Sequence, residues 1–66
     1  MEITIIFGKK RENREIQENM TIKEVLDALD ISSETVVVKR NNEIVMDEES
    51  LDNGDVIEII RVIYGG

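Results

Sequence analysis

The chain has 66 residues, 15 acidic against eight basic, a formal net charge of -7, and neither cysteine nor histidine. One domain is the only sensible count, and without a thiol or an imidazole there is no disulfide, no typical zinc site and no Ser-His-Asp or Cys-His arrangement. The acidic excess argues against nucleic acid and anionic membrane as partners, and for a basic surface on another protein.

A domain this small buries only about 60% of the surface its unfolded chain exposes. Its stability must come from aliphatic packing, since Phe7 and Tyr64 are the only aromatic residues. So few residues rarely enclose a ligand pocket of about 300 Å³ or more, so an enzyme acting alone is not expected. The opening Met1-Glu2-Ile3-Thr4 lacks the basic start of a signal peptide. The apolar runs fall short of the roughly 20 residues that span a bilayer, and a cytoplasmic location is the expectation.

In chain order, Ile3, Ile5 and Phe7 alternate with Glu2, Thr4 and Ile6, the period of a strand with one face inward. Gly8 to Asn13 reads as a polar turn. Arg14 to Glu18 reads as a second, weaker strand with Ile16 inward, completing a hairpin. In "MTIKEVLDALDI" Thr21 is the predicted N-cap and Glu24 completes a capping box. Met20 and Val25 have the spacing of a hydrophobic staple. Ile22, Val25, Leu26 and Leu29 form one apolar stripe, so a helix running to about Asp30 should pack on the core, with Ile31 beneath it.

"TVVVKRNNEIV" predicts a strand, a tight Asn41-Asn42 turn with positive φ, and a return strand beginning at Ile44 and Val45. An acidic loop, Asp47-Glu48-Glu49, follows, with Leu51 as its anchor. Asp52-Asn53-Gly54-Asp55 is a turn, and Val56 to Ile63 is the last strand, with Ile57 and Ile59 toward the core. This order predicts an α+β fold, a mixed sheet of four to five strands with one helix packed on one face. The last strand is the most apolar and belongs in the middle, beside the first.

The chain closes on Gly65-Gly66. Without Cβ atoms this pair is slim and flexible, either a thin arm that threads a narrow channel or simply a frayed terminus. Taken together, the strand order, the helix "TIKEVLDALDI", the hairpin "NNEIV", the turn "LDNGDVIEII" and the final "GG" resemble the ubiquitin-like sulfur carriers. These are the ThiS and MoaD families, which share the β-grasp fold with ubiquitin. The resemblance covers nearly all of residues 1–66, and the length and the "NNEIV" hairpin are more similar to ThiS.

The resemblance implies a function. A ThiF/MoeB-like adenylating enzyme would use ATP to activate the carboxylate of Gly66. A sulfur donor would convert the adenylate to a thiocarboxylate. A thiazole synthase, or a molybdopterin synthase large subunit, would receive the sulfur for thiamine or molybdopterin. The chain would bind no cofactor or metal of its own, would be a co-substrate rather than an enzyme, and would be a monomer when free. Two alternatives remain: a modifier joined to lysines through Gly66, and a plain β-grasp interaction domain.

Gly65 would pass through the threading channel, where a Cβ would obstruct. Tyr64 is either a docking contact beside the tail or a strand-end aromatic. Ile6, Ile60 and Val62 fall on the strand positions opposite the core set and predict an exposed aliphatic partner surface, unless a local bulge turns them inward. Asp47, Glu48, Glu49, Asp52 and Asp55 either steer a basic partner or form a solvated loop. They lack the spacing of a calcium loop. Lys9, Lys10, Arg11 and Arg14 make a small basic patch on the opening turn, without the aromatic residues of a nucleic-acid site.

Overall fold

The computed structural model describes residues 1–62. Strand β1, Glu2–Phe7, is the alternating segment, and it buries Ile3 and Ile5. It turns directly into β2, Lys10–Glu15, through Gly8 and Lys9, with Phe7 opposite Lys10. Gly8 has φ 63°, a conformation open to residues without a Cβ. This corrects the sequence reading of the hairpin. The turn is not Gly8 to Asn13, and the strand is not Arg14 to Glu18. The segment KRENRE is itself the strand, exposed throughout at the sheet edge. It is held by backbone pairing to β1 rather than by burial, so it carries no apolar alternation. Ile16 follows the strand and still packs against the core. Its amide donates to the Met1 carbonyl at 2.7 Å, and the Met1 ammonium donates to the Ile16 carbonyl at 2.9 Å.

Helix α1, Ile22–Ala28, starts as the capping box predicts. The Glu24 amide donates to Thr21 Oγ1 at 3.2 Å, and the Thr21 amide donates to Glu24 Oε1 at 3.0 Å. Two of the orphan donors of the first turn are thereby satisfied. Its end is a Schellman closure. The Ile31 amide reaches back to the Leu26 carbonyl at 2.9 Å and the Asp30 amide to Asp27 at 3.0 Å, with Asp30 left-handed at φ 62°. Ile31 packs against the core below the helix, as expected from the sequence.

A single 3₁₀ turn, Ser33–Thr35, capped by Ser32, leads into β3, Val36–Arg40. Asn41 and Asn42, at φ 50° and 74°, make the tight turn to β4, Glu43–Val45. Positive φ at both central residues is what a type I′ hairpin turn requires. Leu51, 3% exposed, anchors the following loop. Gly54 at φ 87° closes the turn into β5, Val56–Arg61. That strand is shorter than the Val56 to Ile63 expected, and Ile63 lies outside the described residues.

The sheet order is β2-β1-β5-β3-β4. β1 and β5 are parallel and the other pairs antiparallel. This is the β-grasp fold, with five strands, β5 in the centre and α1 across one face. Ile3, Ile5, Val38, Ile57 and Ile59 meet Ile22, Val25 and Leu26 of the helix and Leu51 of the loop.

Candidate functional site

The central position of β5 determines what the chain can offer a partner. Ile57 and Ile59 point to the helix and are 2% exposed, so alternation sends Val56, Glu58 and Ile60 to the opposite face. Register carries the same face across the sheet. Ile6 of β1 lies opposite Glu58, Lys39 of β3 lies between Glu58 and Ile44 of β4, and Val37 lies opposite Ile60. The helix-free face is therefore aliphatic at Ile6, Val37, Ile44 and Ile60. A facing Glu58–Lys39 pair of opposite charge lies among them, favourable across strands. Ile44 is 70% exposed and Ile60 37%, while Ile6 and Val62 are half-buried.

Just past β5 the backbone is still held. The Val62 amide donates to the Thr35 carbonyl at 2.9 Å. On the helix side, the Arg61 guanidinium stands 5.5 Å above the Phe7 ring centroid, within cation–π range. The root of the tail is thus held laterally by a backbone bond at Val62 and on the helix side by the Arg61–Phe7 contact. Tyr64, Gly65 and Gly66 lie outside the described residues.

The acidic segment does not form one patch. Asp55 is buried, 8% exposed. Its carboxylate accepts the Asp52 amide at 2.8 Å and Asn41 Nδ2 at 3.3 Å, which ties the last turn to the β3–β4 hairpin. Glu49 pairs with Arg40 at 3.3 Å. Those two acids are structural, and Asp47, Glu48 and Asp52 remain as loop positions. The basic group also redistributes. Lys10, Arg11 and Arg14 stand on β2 rather than on a turn, and only Lys9 stays at the bend.

Sequence reasoning missed Ile44, Met46 and Val37 as parts of the exposed apolar surface. Ile44 and Met46 are the most exposed large hydrophobics described, at 70% and 67%. The signal for Ile44 was present: a two-residue Asn41-Asn42 turn pairs it with Lys39, and Lys39 shares the outward face with Val37. Among the described residues no group of three or more acidic, Cys or His side chains is arranged to hold a metal ion. None of the described helices is long and apolar enough to cross a membrane.

Comparison with known proteins agrees with this geometry. The sequence model of the ThiS family matches residues 4–66. The chain is 33% identical over 57 residues to the sulfur carrier protein TtuB of Thermus thermophilus, covering 86% of this chain and 88% of that one. Its structure is similar to that of the thiamine biosynthesis protein ThiS of Geobacter metallireducens, with a TM-score of 0.67 and 25% identity over 96% of this chain and 99% of that one. It is similar also to SAMP1 of Haloferax volcanii, with a TM-score of 0.77 and 18% identity over the whole of both chains, a likeness of fold. The match along nearly the whole chain, together with the β-grasp architecture, places this protein in the ThiS family of ubiquitin-like sulfur carriers.

Proposed function

We propose that this protein carries sulfur as a thiocarboxylate on Gly66. The single observation that best supports the reading is the tail root: the central strand, buried on its helix face, is clamped at Arg61 and Val62 just before the chain reaches Gly65-Gly66. A rigid base with a slim end suits insertion into the active site of another enzyme, because little ordering entropy is lost at the root.

The chemistry follows from leaving groups. A carboxylate is a poor acyl donor because oxide does not leave. In the partner's active site a Gly66 carboxylate oxygen attacks the α-phosphorus of ATP and pyrophosphate departs. The resulting acyl-adenylate has AMP as a good leaving group. Sulfide attacks the carbonyl, AMP leaves, and the thiocarboxylate remains as a soft anionic nucleophile; a persulfide donor gives an acyl disulfide instead, which a second thiol of the donor cleaves, releasing the thiocarboxylate and leaving the donor as a disulfide. This chain supplies no side chain to these steps; its own terminus is the reacting group. ATP belongs to the partner, a ThiF/MoeB-like adenylating enzyme. That enzyme would dock on the face carrying Ile6, Ile60 and Val62, extended by Val37 and Ile44. Gly65 would cross the narrowest point of the channel, with Tyr64 at its mouth.

The preferred acceptor is the thiazole of thiamine, through a thiazole synthase, because the Geobacter relative is a thiamine biosynthesis protein. Molybdopterin synthesis through a synthase large subunit comes second. The test is reconstitution with ATP, the adenylating enzyme and a sulfur donor, followed by transfer to each acceptor enzyme in turn. Thiazole formation that depends on Gly66 supports the preferred reading. Sulfur transfer to the molybdopterin synthase alone would replace it. Lysine adducts bearing a Gly-Gly remnant, without sulfur transfer, would move the assignment to a protein modifier.

A further inference from the structure

The β2 edge is a second surface, unrelated to the tail. Met1 and Ile16 exchange backbone hydrogen bonds. By the alternation of an antiparallel ladder, Arg14, Glu12 and Lys10 then bond to β1. The N–H and C=O groups of Arg11, Asn13 and Glu15 point away from the sheet. β2 is an edge strand with no proline, exposed along its six residues. Charged residues on an edge usually keep sheets apart. Here the order of the charges decides otherwise.

We propose that β2 pairs with β2 of a second copy of this chain, antiparallel about a two-fold axis through Asn13. Outward-pointing residues must face outward-pointing residues, which leaves few registers. Centring on Glu12 sets Glu12 against itself and Lys10 against Arg14. Centring on Arg14 sets Arg14 against itself. Centring on Asn13 sets Arg11 against Glu15, Glu12 against Arg14, and Asn13 against Asn13, with no like-charge pair among residues 11 to 15. Arg11, Asn13 and Glu15 then exchange their free backbone groups across the axis. The second copy also relieves a defect within the first. Glu2 and Glu15 face each other across β1 and β2, an unfavourable like-charge pair, and Arg11 of the other copy arrives beside Glu15 on the same face. The Glu12–Arg14 contact within one strand, 3.5 Å, is exchanged for the equivalent pair between copies.

The joined sheets leave both β5 strands uncovered. Because the copies are antiparallel, the two Val62 residues lie at opposite ends of the joined sheet, so each C-terminus can be loaded independently. All these charges are exposed, so the association is weak, salt-sensitive and concentration-dependent. The protein is monomeric when dilute and pairs when concentrated.

The experiment is a dilution series of the full chain by two-dimensional amide NMR, from about 2 mM down to about 50 μM, a range suited to weak encounters. Shifts concentrated at residues 10 to 16 are expected. Glu12→Arg should weaken association at least tenfold, Arg14→Glu likewise, and the two together should restore it. Asn13→Pro removes a backbone donor that β1 does not use and one exposed side-chain acceptor of the Thr4 hydroxyl, so it should stay folded on the sheet edge and remain monomeric. Invariant spectra across the series would overturn the proposal. So would concentration-dependent shifts centred on Ile44 and Ile60 instead of β2, or single reversals without effect.

Discussion

At the scale of single residues, two aspartates show how local geometry assigns roles that composition does not. Asp55 looks like one more acid in a charged turn, yet it is buried and accepts the Asp52 amide and Asn41 Nδ2. Asp55→Ala would leave that amide without its partner at a cost of about 1 to 3 kcal/mol, read as a lower midpoint in urea unfolding. An unchanged midpoint would mean that the two turns are not coupled through this carboxylate. Asp30 holds the left-handed position that closes α1, where a Cβ is unfavourable and a negative charge meets the negative end of the helix. Asp30→Gly should stabilise by about 0.5 to 1 kcal/mol, after allowing for the added freedom of the unfolded chain, and raise the melting temperature. A lower melting temperature would show that the Asp30 side chain contributes something the backbone closure does not. The role of Asp55 was not legible in the sequence, because it depends on two turns 14 residues apart meeting in space.

Among elements, α1 and β2 mark the two ends of legibility. The helix was readable because its signals are local: cap, box and stripe lie within consecutive residues and are all present in the structure, and Met20 packs against the core that contains Val25. Leu26, 1% exposed at the centre of that stripe, gives the corresponding prediction. Leu26→Ala should cost about 2 to 5 kcal/mol in denaturant unfolding, and a loss below about 1 kcal/mol would place the helix face wrongly. β2 was misread because it buries nothing. A strand whose partners are backbone groups leaves no period in its side chains, and KRENRE therefore reads as a turn. Ile44 was missed for a different reason: the Asn41-Asn42 turn was legible, but its register, which sets Ile44 opposite the outward-facing Lys39, was not followed across to the return strand.

For the whole molecule, the fold separates stability from function. The core lies between α1 and one sheet face. The proposed docking residues lie on the other face, and the proposed reacting group lies beyond residue 62. Ile60→Asp should therefore raise the KM of the adenylating enzyme for this protein by about tenfold or more, as expected for a central apolar contact, beside a stability loss of about 1 kcal/mol from its partial burial in the central strand. An unaltered KM would remove Ile60 from the interface. Gly66→Ala should leave the melting temperature within error of the parent and block thiocarboxylate formation.

The most direct test of the central claim is intact-mass spectrometry after incubation with ATP, the adenylating enzyme and a sulfur donor, beside a variant lacking Gly65 and Gly66. The account predicts a mass gain equal to sulfur minus oxygen, confined to the C-terminal peptide of the parent and absent from the variant. Sulfur acquired equally by the truncated chain, or a parent that forms neither adenylate nor thiocarboxylate, would contradict it.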